Sequence, residues 1–237
     1  MRSASLCVTC PNRELGFCGA LLESSSQSAA DELPNWQRFL TARAGDQIAT
    51  RNQTSGDVFV LCSGWAFRFL QLPDGRRQIL NFLLPGDLLS VVTIFDKQYQ
   101  FSAKAVTGIQ LSGFVRSEIL ARCKVSPGIQ SAIGRCCVEE SRVAGELVSV
   151  LGQRSADQRI AYLFLHLMNR IRARSVVRDH RYPLPLRQQL IADAVGLTPV
   201  HVSRVLGLFR DRGICVLSDN VLNVLNPAEL ERIGAIG

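Results

Sequence analysis

Three thiols lie close together at the start of the chain, Cys7, Cys10 and Cys18, in the pattern C-x2-C-x7-C. A two-residue gap lets neighbouring sulfurs reach one centre, and Gly16 and Gly19 free the backbone to wrap around it. Soft thiolates at that spacing suit an iron–sulfur cluster; a zinc site and a leader that holds nothing are the alternatives. Five more cysteines are scattered along the chain: Cys62, Cys123, Cys136, Cys137 and Cys215. The chain has no basic start followed by an apolar core, so a cytoplasmic protein is expected, where disulfides are rare and clustered thiols do metal or redox work.

A second constellation, Gln188–Phe209, carries a different chemistry. Two short amphipathic helices are expected there, joined at Gly196-Leu197-Thr198. Thr198 suits the cap of the second helix and Pro199 its first position, where a missing N–H is harmless. Val202, Val205, Leu206 and Phe209 recur at helical spacing and would pack on Leu190, Ile191 and Val195, with Ala192 at the close crossing. That leaves Val200, His201, Ser203 and Arg204 on an outer face, near a helix start, as a major groove requires.

These groups need elements to hold them. With 237 residues the chain has room for two domains, and a net charge of +7 favours a polyanionic partner. No apolar run reaches the roughly 18 residues that suggest a membrane span, so no membrane role is expected. Residues 24–32 read as a polar connector. From about residue 43 to 117, strand-like runs alternate with turns: Val58–Leu61, Ala66–Leu72, Gln78–Leu84, Ser102–Val106 and Ile109–Val115. Many short strands suggest a small β-roll. A long helix follows, in which Ile129, Ile133, Cys136, Glu140, Val143, Leu147 and Val150 recur at alternating steps of four and three. This spacing predicts a coiled-coil seam between two copies, with a helix packed on its own domain as the alternative. Arg170–Arg181 is strongly basic, and Ile214–Leu217 with Val221–Leu225 would make a two-stranded wing. The resulting fold is α+β, divided into a cysteine-rich leader and connector (1–32), a roll (33–122), a dimerisation helix (123–154) and a winged helix-turn-helix domain (155–237).

This order of parts resembles the CRP/FNR superfamily of bacterial transcription regulators, FNR/FixK-like branch. The resemblance spans nearly the whole chain and is carried by Ser63-Gly64, the DGRRQIL segment at 74–80, LPGD at 84–87, and Gly196-Leu197-Thr198 through Ser203-Arg204. It implies a homodimer on a pseudo-palindromic site in double-stranded DNA, with RNA polymerase as a further partner and no enzyme activity. Ser203 and Arg204 match the family's base-reading pair, while Val200 stands where the family commonly has Glu. Thr198, Gln188 and Gln189 are expected to contact phosphate.

Cyclic-nucleotide members of the family hold phosphate with Gly-Glu and a later Arg-Ser; here those places read Gly86-Asp87 and Phe101-Ser102. Phenylalanine offers no donor, which argues against a cyclic nucleotide. The leader resembles that of oxygen-sensing members and implies a 4Fe-4S cluster on Cys7, Cys10, Cys18 and a fourth thiol. The strand that should supply it reads Gln110-Leu111-Ser112, so Cys62 is the substitute and Cys123 the runner-up. Glu140, and Glu146 after it, would face their symmetry mates and weaken pairing without the cluster. The alternative is a regulator without a cluster, sensing haem-bound gas or a small organic effector in the roll, or needing no effector. A cupin-type enzyme is disfavoured, because His166, His180 and His201 all lie outside the roll.

Overall fold

Turn chemistry lays out the first half of the chain. The computed structural model describes residues 16–23 and 37–236. After helix α1 (Gly16–Glu23) come seven strands: β1 (Gln37–Ala42), β2 (Gln47–Ala49), β3 (Asp57–Ser63), β4 (Ala66–Gln71), β5 (Arg77–Leu83), β6 (Ser102–Ala105) and β7 (Ile109–Val115). They form two sheets, β1-β7-β3 and β2-β6-β4-β5. Gly64 turns between β3 and β4 at φ +80°, and a Cβ there would strike the Gly108 carbonyl, so only glycine fits. At the LPGD turn the Asp87 carboxylate accepts from Leu84 N–H at 2.7 Å, and Gly86 N–H donates to the Leu61 carbonyl.

A short helix α2 (Arg116–Val125) ends before Ser126, whose extended ψ of 103° is the conformation that a following proline favours. Pro127 then starts the 27-residue helix α3 (Pro127–Gln153), about 40 Å long at 1.5 Å per residue. Cys123 therefore lies on α2 rather than at the start of the long helix. Helix α4 (Ala156–Arg172) opens with a capping box, Ser155 with Gln158. Next come β8 (Arg181–Pro183), α5 (Gln188–Val195), α6 (Pro199–Asp211), β9 (Cys215–Ser218), β10 (Val221–Val224) and α7 (Pro227–Gly234). The wing has three strands, β8-β10-β9, where two were expected. Its tip is a two-residue turn with Asp219 and Asn220 both at positive φ, the geometry that matches strand twist.

The described chain divides into two compact units: residues up to Arg68 with Phe82–Ser141, and Phe69–Asn81 with Arg142–Gly237. The first contains an apolar cluster built from Phe17, Leu21, Val58, Val60, Phe114, Ile119, Ile129 and Ile133, among others. Here Gly16 and Gly19 lie within a helix rather than a loop wrapped around a metal, because Phe17 and Leu21 repeat at helical spacing and bury one face. The core of the second unit is supplied by Phe164, Tyr182, Ile191, Val202, Phe209 and Leu230.

Candidate nucleic-acid interface

Local grammar builds the two-helix reader. Gly196 caps α5 in the left-handed region, φ 66°, and sends its N–H back to the Ala192 carbonyl. Thr198 caps α6: its hydroxyl accepts from His201 N–H at 3.3 Å, and Pro199 follows at the first helical position. Val202, Val205 and Phe209 of α6 are buried, as are Ile191, Ala192 and Val195 of α5, on which α6 packs, while Leu190 and Leu206 are half-buried. Val200 (71% exposed), His201, Ser203 and Arg204 line the open face of α6. Among the described residues, the Ser203 and Arg204 side chains make no hydrogen bond or ion pair, so their polar ends are available to a ligand.

Gln188 and Gln189 are exposed in the first turn of α5. Gln189 Nε2 donates to Asp193 Oδ1 at 2.7 Å, and Asp193 Oδ2 accepts from Arg77 Nε at 2.5 Å. Asp193 escaped sequence reasoning, although it is the single acidic residue in Gln188–Phe209 and lies four residues after Gln189. Basic side chains continue from the end of α4, where Arg172, Arg174 and His180, with Tyr182, border an open cavity of about 920 Å³. Arg172 stacks over the Tyr182 ring at 5.2 Å.

On α3 the structure differs from the expected seam. Ile129 and Ile133 are buried in their own unit's apolar cluster, which Cys136 edges, and Val150 is fully buried. Glu140 is half-buried and paired within its own unit: Arg68 Nη1 donates to its Oε1 at 2.7 Å. Arg68 is itself buried, with its guanidinium 4.9 Å from the Phe101 ring and its Nε without an acceptor. Glu146 is likewise engaged, with Arg142 and the Tyr162 hydroxyl. Val143 and Leu147 are half-buried. The open face is a neighbouring stripe, Gly134, Val138, Ser141, Gly145, Val148 and Gly152, also at steps of four and three. Val138 and Val148 are 69% and 74% exposed there.

Among the thiols, Cys7 and Cys10 lie outside the described residues. Cys18 is half-buried on α1, and it edges the same apolar cluster as Cys123 of α2 and Cys136 of α3. Cys62 stands near the end of β3, its thiol 3.8 Å from the Val60 carbonyl, and is no member of that cluster. Burial pushes the Cys123 thiol above its ordinary range, Cys136 up to about 11 with Glu140 adding to it, and Cys215 up to about 12. Ser112, where the resemblance asks for the fourth cysteine, is buried and its hydroxyl accepts from Gln37 Nε2 at 2.7 Å. No group of three or more metal-ligating side chains occurs among the described residues.

Comparison with known proteins covers both halves of the chain. A Crp-like helix-turn-helix domain model matches residues 158–233, and a cyclic nucleotide-binding domain model matches 39–124. The nitrogen fixation regulation protein FixK of Azorhizobium caulinodans is 31% identical over 192 residues, 78% of this chain and 77% of that protein. The FixK of Bradyrhizobium diazoefficiens is 28% identical over 231 residues, 97% and 94% of the two chains. The structure of FixK2 from Bradyrhizobium japonicum superposes with a TM-score of 0.76 at 23% identity, covering 85% of this chain and 98% of that one, which shows a common fold. The chain has the α+β order of roll, long helix and winged helix-turn-helix, and it belongs to the CRP/FNR family of DNA-binding transcription regulators, non-enzymatic proteins, in the branch that contains FixK.

Proposed function

We propose that this chain works in the cytoplasm as a homodimeric regulator on a pseudo-palindromic DNA site, switched by a 4Fe-4S cluster and acting on RNA polymerase. The observation that carries the DNA reading is the uncommitted Ser203 and Arg204 on an α6 face capped by Thr198. Arg204 suits a bidentate pair to guanine, and Val200 offers a methyl contact where an acceptor for cytosine would otherwise stand. Gln188, Gln189 and Thr198 set the register through phosphate. Selection of duplexes from a random pool tests this reading, which fails if no sequence is enriched.

The second copy is assigned to the stripe Gly134–Gly152 rather than to the Ile129–Val150 face. Two exposed valines at heptad positions of a helix need cover, and the small residues between them let two backbones approach closely. A family whose solved members share this fold, and a DNA site with two-fold symmetry, both favour a second copy over another partner.

Thiolates suit the cluster chemically, with Cys7, Cys10 and Cys18 as three ligands. Cys123 is the better fourth ligand than Cys62, because α1 and α2 edge one apolar cluster that excludes Cys62. A bound cluster would supply an oxygen-labile tie between leader and roll. The chain's own contribution is mechanical: Phe17 and Leu21 of α1 share one apolar cluster with Ile129 and Ile133 of α3, so a shift of α1 is felt by the dimer helix through that cluster. The second reading, a regulator without a cluster, is favoured by Ser112, whose hydroxyl is already committed to Gln37. Iron, sulfide and the visible spectrum of protein purified without oxygen decide between them. Loss of colour in Cys123→Ser but not Cys62→Ser is expected; an iron-free protein that still binds DNA leaves the second reading.

A further inference from the structure

Asp193 sits on α5 with 11% of its side chain exposed and divides its carboxylate between two donors. Oδ2 takes Arg77 Nε at 2.5 Å from the β4–β5 hairpin, and Oδ1 takes Gln189 Nε2 at 2.7 Å, one turn nearer the helix start. Beside it, Gln78 Nε2 donates to the Ala194 carbonyl at 3.0 Å. That carbonyl is among the last four of α5, which have no partner inside the helix. Arg170 Nη1 of α4 holds Asn81 Oδ1 at the far end of the hairpin, at 3.0 Å. Hairpin residues 69–81 and α5 thus belong to one compact unit, joined by a charge pair and an otherwise unmet backbone acceptor.

A carboxylate one turn behind a phosphate contact is a liability. DNA presents a dense line of negative charge, about one unit per 1.7 Å of axis. Side chains four residues apart on a helix are neighbours, so whatever approaches Gln189 also approaches Asp193. Arg77 cancels that charge where it stands. We infer that Asp193 is a positioning residue whose ion pair with Arg77 sets DNA affinity, which rests on the phosphate-contacting α5 proposed above. With the hairpin seated, the carboxylate is neutral towards DNA and orients the Gln189 amide. With the hairpin lifted, the bare carboxylate repels the phosphate backbone. The hairpin that carries Arg77 is formed by β4 and β5, neighbouring strands in the sheet β2-β6-β4-β5.

The test uses the full chain and a duplex selected from a random pool, with binding read by fluorescence anisotropy and melting followed in parallel. Arg77→Ala is expected to weaken binding about tenfold, and Asp193→Asn alone to tighten it severalfold. The double variant Arg77→Ala/Asp193→Asn is expected to return to within about threefold of the parent. If Arg77→Ala does not fold, Arg77→Gln keeps the stem and a donor without the charge and carries the same expectation. An ion pair that only holds the fold together gives weaker binding in both singles and in the double, in step with lower melting temperatures. An Arg77 that touches phosphate directly gives a loss that Asp193→Asn does not restore. Either pattern overturns the inference. A parent protein that enriches no duplex overturns the DNA-reading assignment instead, and does so before any variant is made.

Discussion

Exchanging Glu140 for glutamine removes the one carboxylate paired with the buried Arg68. Arg68 keeps 8% of its side chain exposed and Glu140 30%, so the two charges differ in access to water. At an effective dielectric near 20, unit charges about 4 Å apart attract by about 4 kcal/mol. Water at the open side of Glu140 screens part of this, and Glu140→Gln is expected to cost about 2–3 kcal/mol because it strands a positive charge whose Nε already lacks an acceptor. Arg68→Met strands only the better-hydrated partner and gives up the contact with Phe101, for about 1 kcal/mol. The double variant Arg68→Met/Glu140→Gln removes both charges and should cost little more than Arg68→Met, giving a coupling of about 2 kcal/mol. Urea unfolding followed through Trp65, 8% exposed ahead of β4, in a Trp36→Phe background reads these differences. The corresponding melting shift for Glu140→Gln is about 5–10 °C. Equal losses from the two single variants, or strict additivity in the double, would refute the buried-pair argument. So would a Glu140→Gln variant of parental stability that dimerises more tightly, the behaviour expected of a residue facing its symmetry mate.

Other consequences follow from the same geometry. Arg204→Ala should lower discrimination at one base pair by about 1–3 kcal/mol while leaving binding to unrelated duplexes nearly intact, measured by competition with single-base variants of the selected site. Val138→Glu or Val148→Glu should convert the proposed dimer to monomer in sedimentation, whereas Val143→Ala, on the half-buried face, should not. Phe209→Ala, which empties a fully buried position under α6, should cost about 3–5 kcal/mol in denaturant unfolding and abolish sequence selection. At pH 8, exposed Cys137 should be alkylated within minutes while Cys136 and Cys215 resist, since burial pushes those two thiols up to about 11 and about 12; mass spectrometry after a short pulse of reagent would show Cys136 labelled before Cys137 if α3 were turned the other way.

Much of the reader was legible residue by residue, because its signals are local. Thr198, Pro199 and Gly196 each act within about one helical turn, and the exposed set Val200, His201, Ser203 and Arg204 follows once Val202, Val205 and Phe209 are turned inward. The strand runs were legible for a similar reason: Gly64, Gly75 and Gly86 all take positive φ at the turns that separate them. The leader was not. Nothing local says that Phe17 and Leu21 join a core with Ile129 and Ile133, more than a hundred residues away. Nor does β4 announce that Arg68 points inward, where a strand's alternation would tolerate any apolar residue.

The chain by itself determined the order of its elements, the caps and turns that bound them, and the polar face that α6 presents. Tertiary packing alone decided how α3 is rotated. Two stripes on that helix share steps of four and three, Ile129 to Val150 and Gly134 to Gly152, so periodicity cannot choose between them. The choice falls to partners remote in sequence: Ile129 and Ile133 join one apolar cluster with Phe17, Val58 and Phe114, and Arg68 takes Glu140. Burying the larger side chains removes more apolar area from water, which leaves the glycines, serine and two valines outside.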